Sequence, residues 1–270
     1  MAIRVCVAGA TGWTGSSLIK AILNSPEFAL TGAITRQTVG QDIGAVLGLP
    51  PTNVVVSASL EAALARSADV LIDYTSAGSV KERTLKALER GVRVVIGTSG
   101  LTAKDFEEID RKARDSNLGV IAAGNFSITA ALAKHFALYA ARHLPSREIL
   151  DYAAADKPDA PSGTTQELAE EMAAIAENRL GLPVEKTHGR KEARGAMIAG
   201  TPVHSIRLPG YTLAFETIFG LPDERLTIRH EAGSGAEPYT AGTLLAVRKV
   251  MHITGLVRGL DRLLFGDELG

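Results

Sequence analysis

The stretch IRVCVAGATGWTGSSLIKAILNS, residues 3–25, decides how the rest of the chain is read. Its first part, IRVCVAG, is a short apolar run that stops at glycine. Its last part, SSLIKAILNS, carries Leu18, Ile19 and Ile22 at helical spacing. Between them lies GATGWTG, residues 9–15, with glycines at 9, 12 and 15. Strand, glycine-rich turn and helix in that order open an α/β sheet. The glycines allow a sharp turn and close approach of a pyrophosphate, whose charge then rests on the helix N-terminus. Taken alone, the motif also suits an ordinary tight turn; its place at the first strand–helix junction is what points to a dinucleotide.

The pattern repeats outward. FALTGAIT (28–35), NVVVSA (53–58), ADVLIDY (68–74), VRVVIGT (92–98) and LGVIAAG (118–124) read as strands rich in Val and Ile. SLEAALARS, SVKERTLKALERG and TAKDFEEIDRKARDS read as the helices between them. Interleaved strands and helices predict a parallel sheet covered on both faces. Ligands of such sheets bind at the carboxyl ends of the strands. Those ends hold Gly9–Gly15, Thr35–Arg36, Asp73–Ser76, Gly97–Gly100 and Gly124–Ser127, each polar or glycine-rich. The second strand ends in ITRQ, where an NAD site usually carries an acid for the ribose hydroxyls. Arg36 suits a 2′-phosphate instead. NADPH is therefore favoured, with NADH the other option and a solvated surface arginine the bland reading.

Composition limits the alternatives. In 270 residues, 46% are hydrophobic, enough for a real core and enough chain for two modest domains. The net charge of −1 gives no basic surplus, so neither nucleic acid nor an acidic membrane surface is expected as a partner. The lone cysteine, Cys6, lies in a strand-like run and excludes an internal disulfide framework. No His or acidic spacing suggests a metal site. No signal-like or membrane-spanning run is visible, which predicts a cytoplasmic protein.

The rhythm changes after residue 127. ITAALAKHFALYAARHL (128–144) reads as one long helix, REILDYAAAD (147–156) as a strand, and residues 165–179 as a helix. VHSIRL, YTLAFETIFG and ERLTIRHEA then read as consecutive strands of period two. TAGTLLAVRKVMHI (240–253) reads as a helix returning to the first domain. The tail TGLVRGLDRLLFG would cover its sheet or a subunit contact. The fold expected is α/β: a Rossmann-like parallel-sheet domain formed by residues 1–127 and 241–270. Residues 128–240 form an α+β domain with a mostly antiparallel sheet, open to face-to-face oligomerisation. SGTT, residues 162–165, opens a helix whose free amides form an anion site, with Ser162 or Thr164 as cap. Lys157 can lean over it, pair with a carboxylate and give a proton.

The combination VAGATGWTG, DVLIDYTS, VVIGTSG, AAGNFS, KPDAPSGT and VHSIRLPG resembles the dihydrodipicolinate reductase family over nearly the whole chain. KPDAPSGT is the most specific of these. The resemblance implies an NAD(P)H-dependent reductase of lysine and diaminopimelate synthesis, acting on a cyclic, unsaturated dicarboxylate and assembled as a homotetramer through the second domain. It implies a dinucleotide loop of Gly9, Ala10, Thr11, Gly12, Trp13 and Thr14, with Arg36 at the adenosine ribose. Gly97, Thr98 and Ser99, with Ala123, Gly124, Asn125 and Phe126, would line the nicotinamide end. Lys157 matches the catalytic lysine. Ser162, Gly163 and Thr164 would bind substrate, the last two through their amides.

The chain also departs from the family. Two histidines usually precede the lysine, and here the run is Asp151, Tyr152, Ala153, Ala154, Ala155, Asp156, Lys157. Alanine can neither donate, accept nor carry charge. An arginine expected after the I-x-H strand is also missing from HEAGSGAEPYT, residues 230–240. Three readings stay open: the family reaction with Lys157 or water as proton source, a reshaped pocket for another imine, or a nucleotide-binding sensor without chemistry. Glu216, Tyr152, Asp156 and the loop residue His188 are candidates to replace the missing groups.

Overall fold

The computed structural model describes residues 1–266. The chain forms two compact units, Met1–Ile128 with Ala236–Phe265, and Thr129–Gly235. The first holds strands β1 (Ile3–Ala8), β2 (Phe28–Ile34), β3 (Val56–Ser57), β4 (Val70–Asp73), β5 (Arg93–Ile96) and β6 (Gly119–Ala122). Helices α1 (Trp13–Leu23), α2 (Ile43–Val46), α3 (Leu60–Ala63), α4 (Ala77–Glu89) and α5 (Ala103–Asp115) connect them. All four residues of β4 and of β6 are buried, as strands covered on both faces must be. The Val and Ile runs thus explain the parallel sheet directly.

The second unit begins with α6 (Ile128–Ala141), β7 (Ser146–Ala153) and α7 (Gly163–Ile175). Strands β8 (Ala196–Ile198), β9 (Thr201–Arg207), β10 (Leu213–Leu221) and β11 (Glu224–Ala232) follow. The sheet order is β11-β10-β7-β9-β8, antiparallel except for the β7–β9 pair. Helices α6 and α7 cover one face, where Leu138, Leu168 and Met172 pack on Ile149, Val203, Phe215 and Phe219. Each of these large side chains contributes on the order of 1.5–3 kcal/mol by leaving water. Period two along β7 turns Ile149, Asp151 and Ala153 to this face and Leu150 and Tyr152 to the other.

The chain then returns to the first unit through α8 (Glu237–Val250), β12 (Gly255–Arg258) and α9 (Leu260–Phe265). A Cβ at Gly242 would run into the carbonyl oxygen of Phe126, so α8 lies as close to the sheet as backbone permits. The Tyr74 hydroxyl meets Thr243 Oγ1 at 2.7 Å, tying the loop after β4 to the same helix.

Three local readings are corrected. TGLVRGL is a seventh strand of the first sheet, not only a covering tail: β12 pairs parallel with β6, giving the order β12-β6-β5-β4-β1-β2-β3. Its strand GLVR holds only Leu256 and Val257 as apolar residues, between a glycine and an arginine, so it lacks the apolar run that marked β4, a strand of the same length. REILDYAAAD stops being a strand at Ala153, because the chain turns there with Lys157 N donating to Ala154 O at 3.1 Å. The helix read over 165–179 begins earlier, at Gly163, and ends at Ile175.

Candidate functional site

The glycine loop has the geometry its composition asks for. Gly9 takes φ +82°, and a Cβ there would strike the carbonyl of Tyr74. A Cβ at Gly15 would strike the carbonyl of Gly9, so α1 begins pressed against the turn. Gly12 is the N-cap of α1, and no side chain caps it. Its first amides are left for a ligand. Gly9, Thr11, Gly12 and Arg36 line one cleft of about 690 Å³ together with Tyr74 and Arg83. Thr11 Oγ1 and Thr35 Oγ1 meet at 3.0 Å and hold the ends of β1 and β2 together. Arg36 is exposed and makes no ion pair among the described residues. A dinucleotide fits this cradle: bare backbone for a pyrophosphate and a free guanidinium beside the end of β2.

A second cation sits in the same cleft. Asp73, the last residue of β4, is fully buried. Arg83 Nη1 donates to Asp73 Oδ2 at 2.6 Å and to Thr75 Oγ1 at 2.8 Å. Thr75 Oγ1 and Thr98 Oγ1 both donate to Asp73 Oδ1, at 2.6 and 3.1 Å. The carboxylate thus fixes the loops after β4 and β5 at once.

The other candidates on this unit lie along the same carboxyl edge but do not line the cleft. Ala10 is buried within the turn; Trp13 is 57% exposed, its ring 5.5 Å from that of Tyr239. Thr14 is half-buried in the first turn of α1. Gly97 follows β5 and accepts the Tyr74 ring where a side chain would stand. Thr98 serves Asp73, and Ser99 is exposed. After β6, Ala123 and Phe126 are buried, Gly124 is exposed, and Asn125 Oδ1 accepts from Ser127 N at 2.8 Å.

On the second unit the loop between β7 and α7 is organised by one buried acid. Asp151 is 1% exposed. It accepts from Ser162 N at 2.9 Å, Ser162 Oγ at 2.6 Å, Thr165 Oγ1 at 3.1 Å and Ser205 Oγ at 3.2 Å. Arg207 Nη2 donates to Asp151 Oδ2 at 2.7 Å and to the carbonyl of Asp159 at 2.6 Å. Burial pushes the Asp151 carboxyl upward, but the Ser162 and Arg207 bonds outweigh it and hold it below the usual carboxylate range. Ser162 stands at the N-cap of α7, yet its hydroxyl is committed to Asp151 and caps no amide. Gly163, at the first turn of α7, is exposed, and nothing lies within 4 Å of where its Cβ would be. Thr164 is half-buried beside it. These opening amides point to no intrahelical partner.

Lys157, half-buried, pairs through Nζ with Asp159. That pairing holds Asp159 below the usual carboxylate range. Ala153 is fully buried on the helix-covered side of β7 and Ala154 is half-buried, so neither supplies polar chemistry. Tyr152 and Glu216 meet on the other sheet face, the hydroxyl 3.4 Å from Glu216 Oε2, with the Arg229 guanidinium 5.0 Å from the tyrosine ring centre. His188 and Asp156 are exposed.

Asp151, Arg207 and Arg83 were missed, and Asp73 was placed only among the strand ends, without its role. The two acids had a weak signal: an acid at the end of an apolar strand must find a cation or donors to be buried; the two arginines had none. Among the described residues no cluster of His, Cys, Asp and Glu could hold a metal ion, and no helix is long and apolar enough to cross a membrane.

Known proteins give a line of evidence independent of this geometry. Residues 3–126 match the family model for the N-terminus of dihydrodipicolinate reductase, and residues 126–264 match that for its C-terminus. The chain is 40% identical over 263 residues to the 4-hydroxy-tetrahydrodipicolinate reductase of Moorella thermoacetica, covering 97% of this chain and 98% of that protein. It is 39% identical over 270 residues to the enzyme of that name from Synechococcus elongatus, with the same coverage. Among solved structures, the dipicolinate-bound dihydrodipicolinate reductase from Paenisporosarcina sp. TG-14 superposes with a TM-score of 0.87 at 32% identity, covering 97% of this chain and all of that one. An amine dehydrogenase from Mycobacterium smegmatis shares the fold at a TM-score of 0.67 and 17% identity, covering 96% of this chain and 95% of that one.

Proposed function

Since the chain belongs to the dihydrodipicolinate reductase family and is an NAD(P)H-dependent oxidoreductase, we propose that it uses NADPH to reduce a cyclic, unsaturated carboxylate, with 4-hydroxy-tetrahydrodipicolinate as the first substrate to test. The observation that carries this reading is the pairing of two sites in one chain. One is a glycine cradle lined by Arg36; the other is the open start of α7, six residues after Lys157 in the chain. NADPH, when bound, supplies a hydride. The residues do the rest. Gly9, Gly12 and the first amides of α1 hold the pyrophosphate, and Arg36 holds the 2′-phosphate. Gly163 and Thr164 hold a substrate carboxylate through their amides, with Asp151 keeping Ser162 and the helix start in place. The Lys157 ammonium attracts the same carboxylate and can give up a proton where negative charge develops. With Ala153 and Ala154 before it, Lys157 or a water is the proton source in this chain.

One observation favours a second reading, a substrate with fewer negative charges. Both cations of the loop already have a carboxylate: Lys157 has Asp159 and Arg207 has Asp151. The helix amides then suit one carboxylate better than two. Absorbance at 340 nm under NADPH, with 4-hydroxy-tetrahydrodipicolinate in one series and cyclic imines bearing one carboxylate in another, separates these readings. Faster turnover of the dicarboxylate supports the first, and faster turnover of the monocarboxylates the second. No turnover of either, alongside micromolar NADPH binding, overturns both.

We further propose a cytoplasmic homotetramer assembled through the uncovered face of the second sheet. Leu150, Ile206 and Ile218 are half-buried on that face without a helix over them. Light scattering on the purified protein tests the assembly.

A further inference from the structure

The nucleotide cleft is lined by two arginines and by no aspartate or glutamate. That asymmetry needs a reason, because a ribose diol is best held by a carboxylate. Arg36 accounts for one of the two guanidinium groups. Arg83 comes from elsewhere, the second turn of α4, and its place is fixed by Asp73 ten residues earlier. We infer that Arg83 is a second determinant of cofactor choice, acting with Arg36 on the 2′-phosphate of NADPH; this rests on the reading that NADPH is the cofactor.

The geometry supports a ligand role beyond anchoring the loop. Asp73 and Thr75 both take their bonds from a single nitrogen of Arg83, Nη1. Its Nε and Nη2 have no protein acceptor among the described residues, although the side chain is only 17% exposed. A guanidinium is a planar fork, so fixing one nitrogen aims the others. Arg83 also lines a smaller neighbouring cleft with Glu61 and Glu82, but among the described residues neither acid forms an ion pair with it. Glu82 pairs with Lys86 at 2.7 Å, and Glu61 lies 3.9 Å from both Lys86 and Arg90. The hydroxyls of Ser76 and Ser79, which meet at 3.2 Å, line the same wall and offer further donors.

Because Asp73 already offsets the charge of Arg83, its contribution is directional. Arg36 supplies the unpaired charge, and Arg83 supplies oriented N–H donors. Lysine at position 83 would keep a cation for Asp73 and lose the fork.

The test is direct binding of NADPH, NADH and adenosine 2′,5′-bisphosphate to the full-length protein by calorimetry, for wild type, Arg36→Ala and Arg83→Lys. We expect wild type to prefer NADPH to NADH. Both variants should weaken NADPH and the bisphosphate by roughly tenfold or more, the scale of one lost charge-assisted bond, and leave NADH within about threefold. If Arg36→Ala shows that selective loss and Arg83→Lys does not, Arg83 only anchors the Asp73 loop and the inference fails alone. An equal loss of NADPH and NADH in Arg83→Lys overturns it in the same way. If wild type binds NADH as tightly as NADPH, the cofactor reading falls, and the role of Arg83 with it.

Discussion

Asp151 holds Ser162 by two bonds, 2.6 Å to its hydroxyl and 2.9 Å to its amide, although eleven residues separate them in the chain. The segment between is the loop proposed to hold the substrate carboxylate, so the acid closes that loop at its base. A hydroxyl that would otherwise cap α7 is thereby withdrawn, and the helix amides are left open. The same carboxylate pairs with Arg207, which also donates to the carbonyl of Asp159 in the middle of the loop and to those of Asp151 and Ile206.

Asp151→Asn keeps the shape of this hub and removes its charge. Arg207 is then a largely buried cation without a carboxylate partner, at a cost of about 3–5 kcal/mol. We expect the midpoint of urea unfolding to fall accordingly. In the folded fraction, the KM for substrate should rise by roughly tenfold, while NADPH affinity stays within about threefold. An unchanged KM would mean that the loop holds its form without the acid.

Acid makes a related prediction. The folded-state carboxyl of Asp151 lies below its unfolded value of about 3.9, because the Ser162 and Arg207 bonds overcome the upward push of burial. Its contribution to stability is therefore fully present above that unfolded value and disappears as pH falls through the folded one. Urea midpoints at pH 7 and pH 3 check this. The gap between wild type and Asp151→Asn should be wide at pH 7 and narrower at pH 3; a gap that widens in acid would refute the assignment.

These two residues also show where sequence reading stops. The βα alternation, the glycine loop and the change of rhythm after residue 127 were legible, because buried parallel strands and amphipathic helices write their periods into the chain. The helix start at SGTT was legible within two residues, and the anion site proposed there rests on helix-end chemistry. Asp151 was visible only as the first letter of an odd run, since its meaning depends on Ser205 and Arg207, more than fifty residues away. Asp73 and Arg83 were hidden similarly: each looks like an ordinary strand or helix residue until packing joins them. β12 escaped because its two apolar residues, Leu256 and Val257, stand between a glycine and an arginine and make no apolar run.

Gly15→Ala tests the cradle. The new Cβ would meet the carbonyl of Gly9, and neither backbone can yield cheaply. Overpacking of this kind costs about 1–3 kcal/mol, and it falls on the loop proposed to bind the pyrophosphate. Thermal unfolding should shift downward and NADPH affinity should fall by an order of magnitude or more. Gly181→Ala, with nothing within 4 Å of its Cβ, is the control and should change neither.

Trp13 is the one tryptophan of the chain and sits, 57% exposed, at the first position of α1. Its emission overlaps the absorbance of reduced nicotinamide, so NADPH should quench it saturably, with a midpoint equal to the calorimetric Kd. Trp13→Phe removes the signal; by calorimetry its Kd should stay within about threefold, as expected of a ring that packs on Tyr239 beside the site. A Kd tenfold weaker would make Trp13 a cofactor contact.

Lys157 bears the strongest claim on turnover. Its ammonium is paired with Asp159, and the loss of both charge and proton in Lys157→Ala should lower kcat by about 10²–10⁴-fold, the usual worth of a positioned acid. Lys157→Met keeps the stem and should be as slow, which separates the ammonium from its packing. Neither change touches the nucleotide cleft, so NADPH titration should move by no more than a few-fold. Asp159→Asn supplies the opposite arm: releasing the ammonium from its acid should strengthen substrate carboxylate binding and lower KM. Collapse of NADPH binding in either lysine variant, with turnover otherwise preserved per bound cofactor, would show that Lys157 serves the nucleotide and not the substrate.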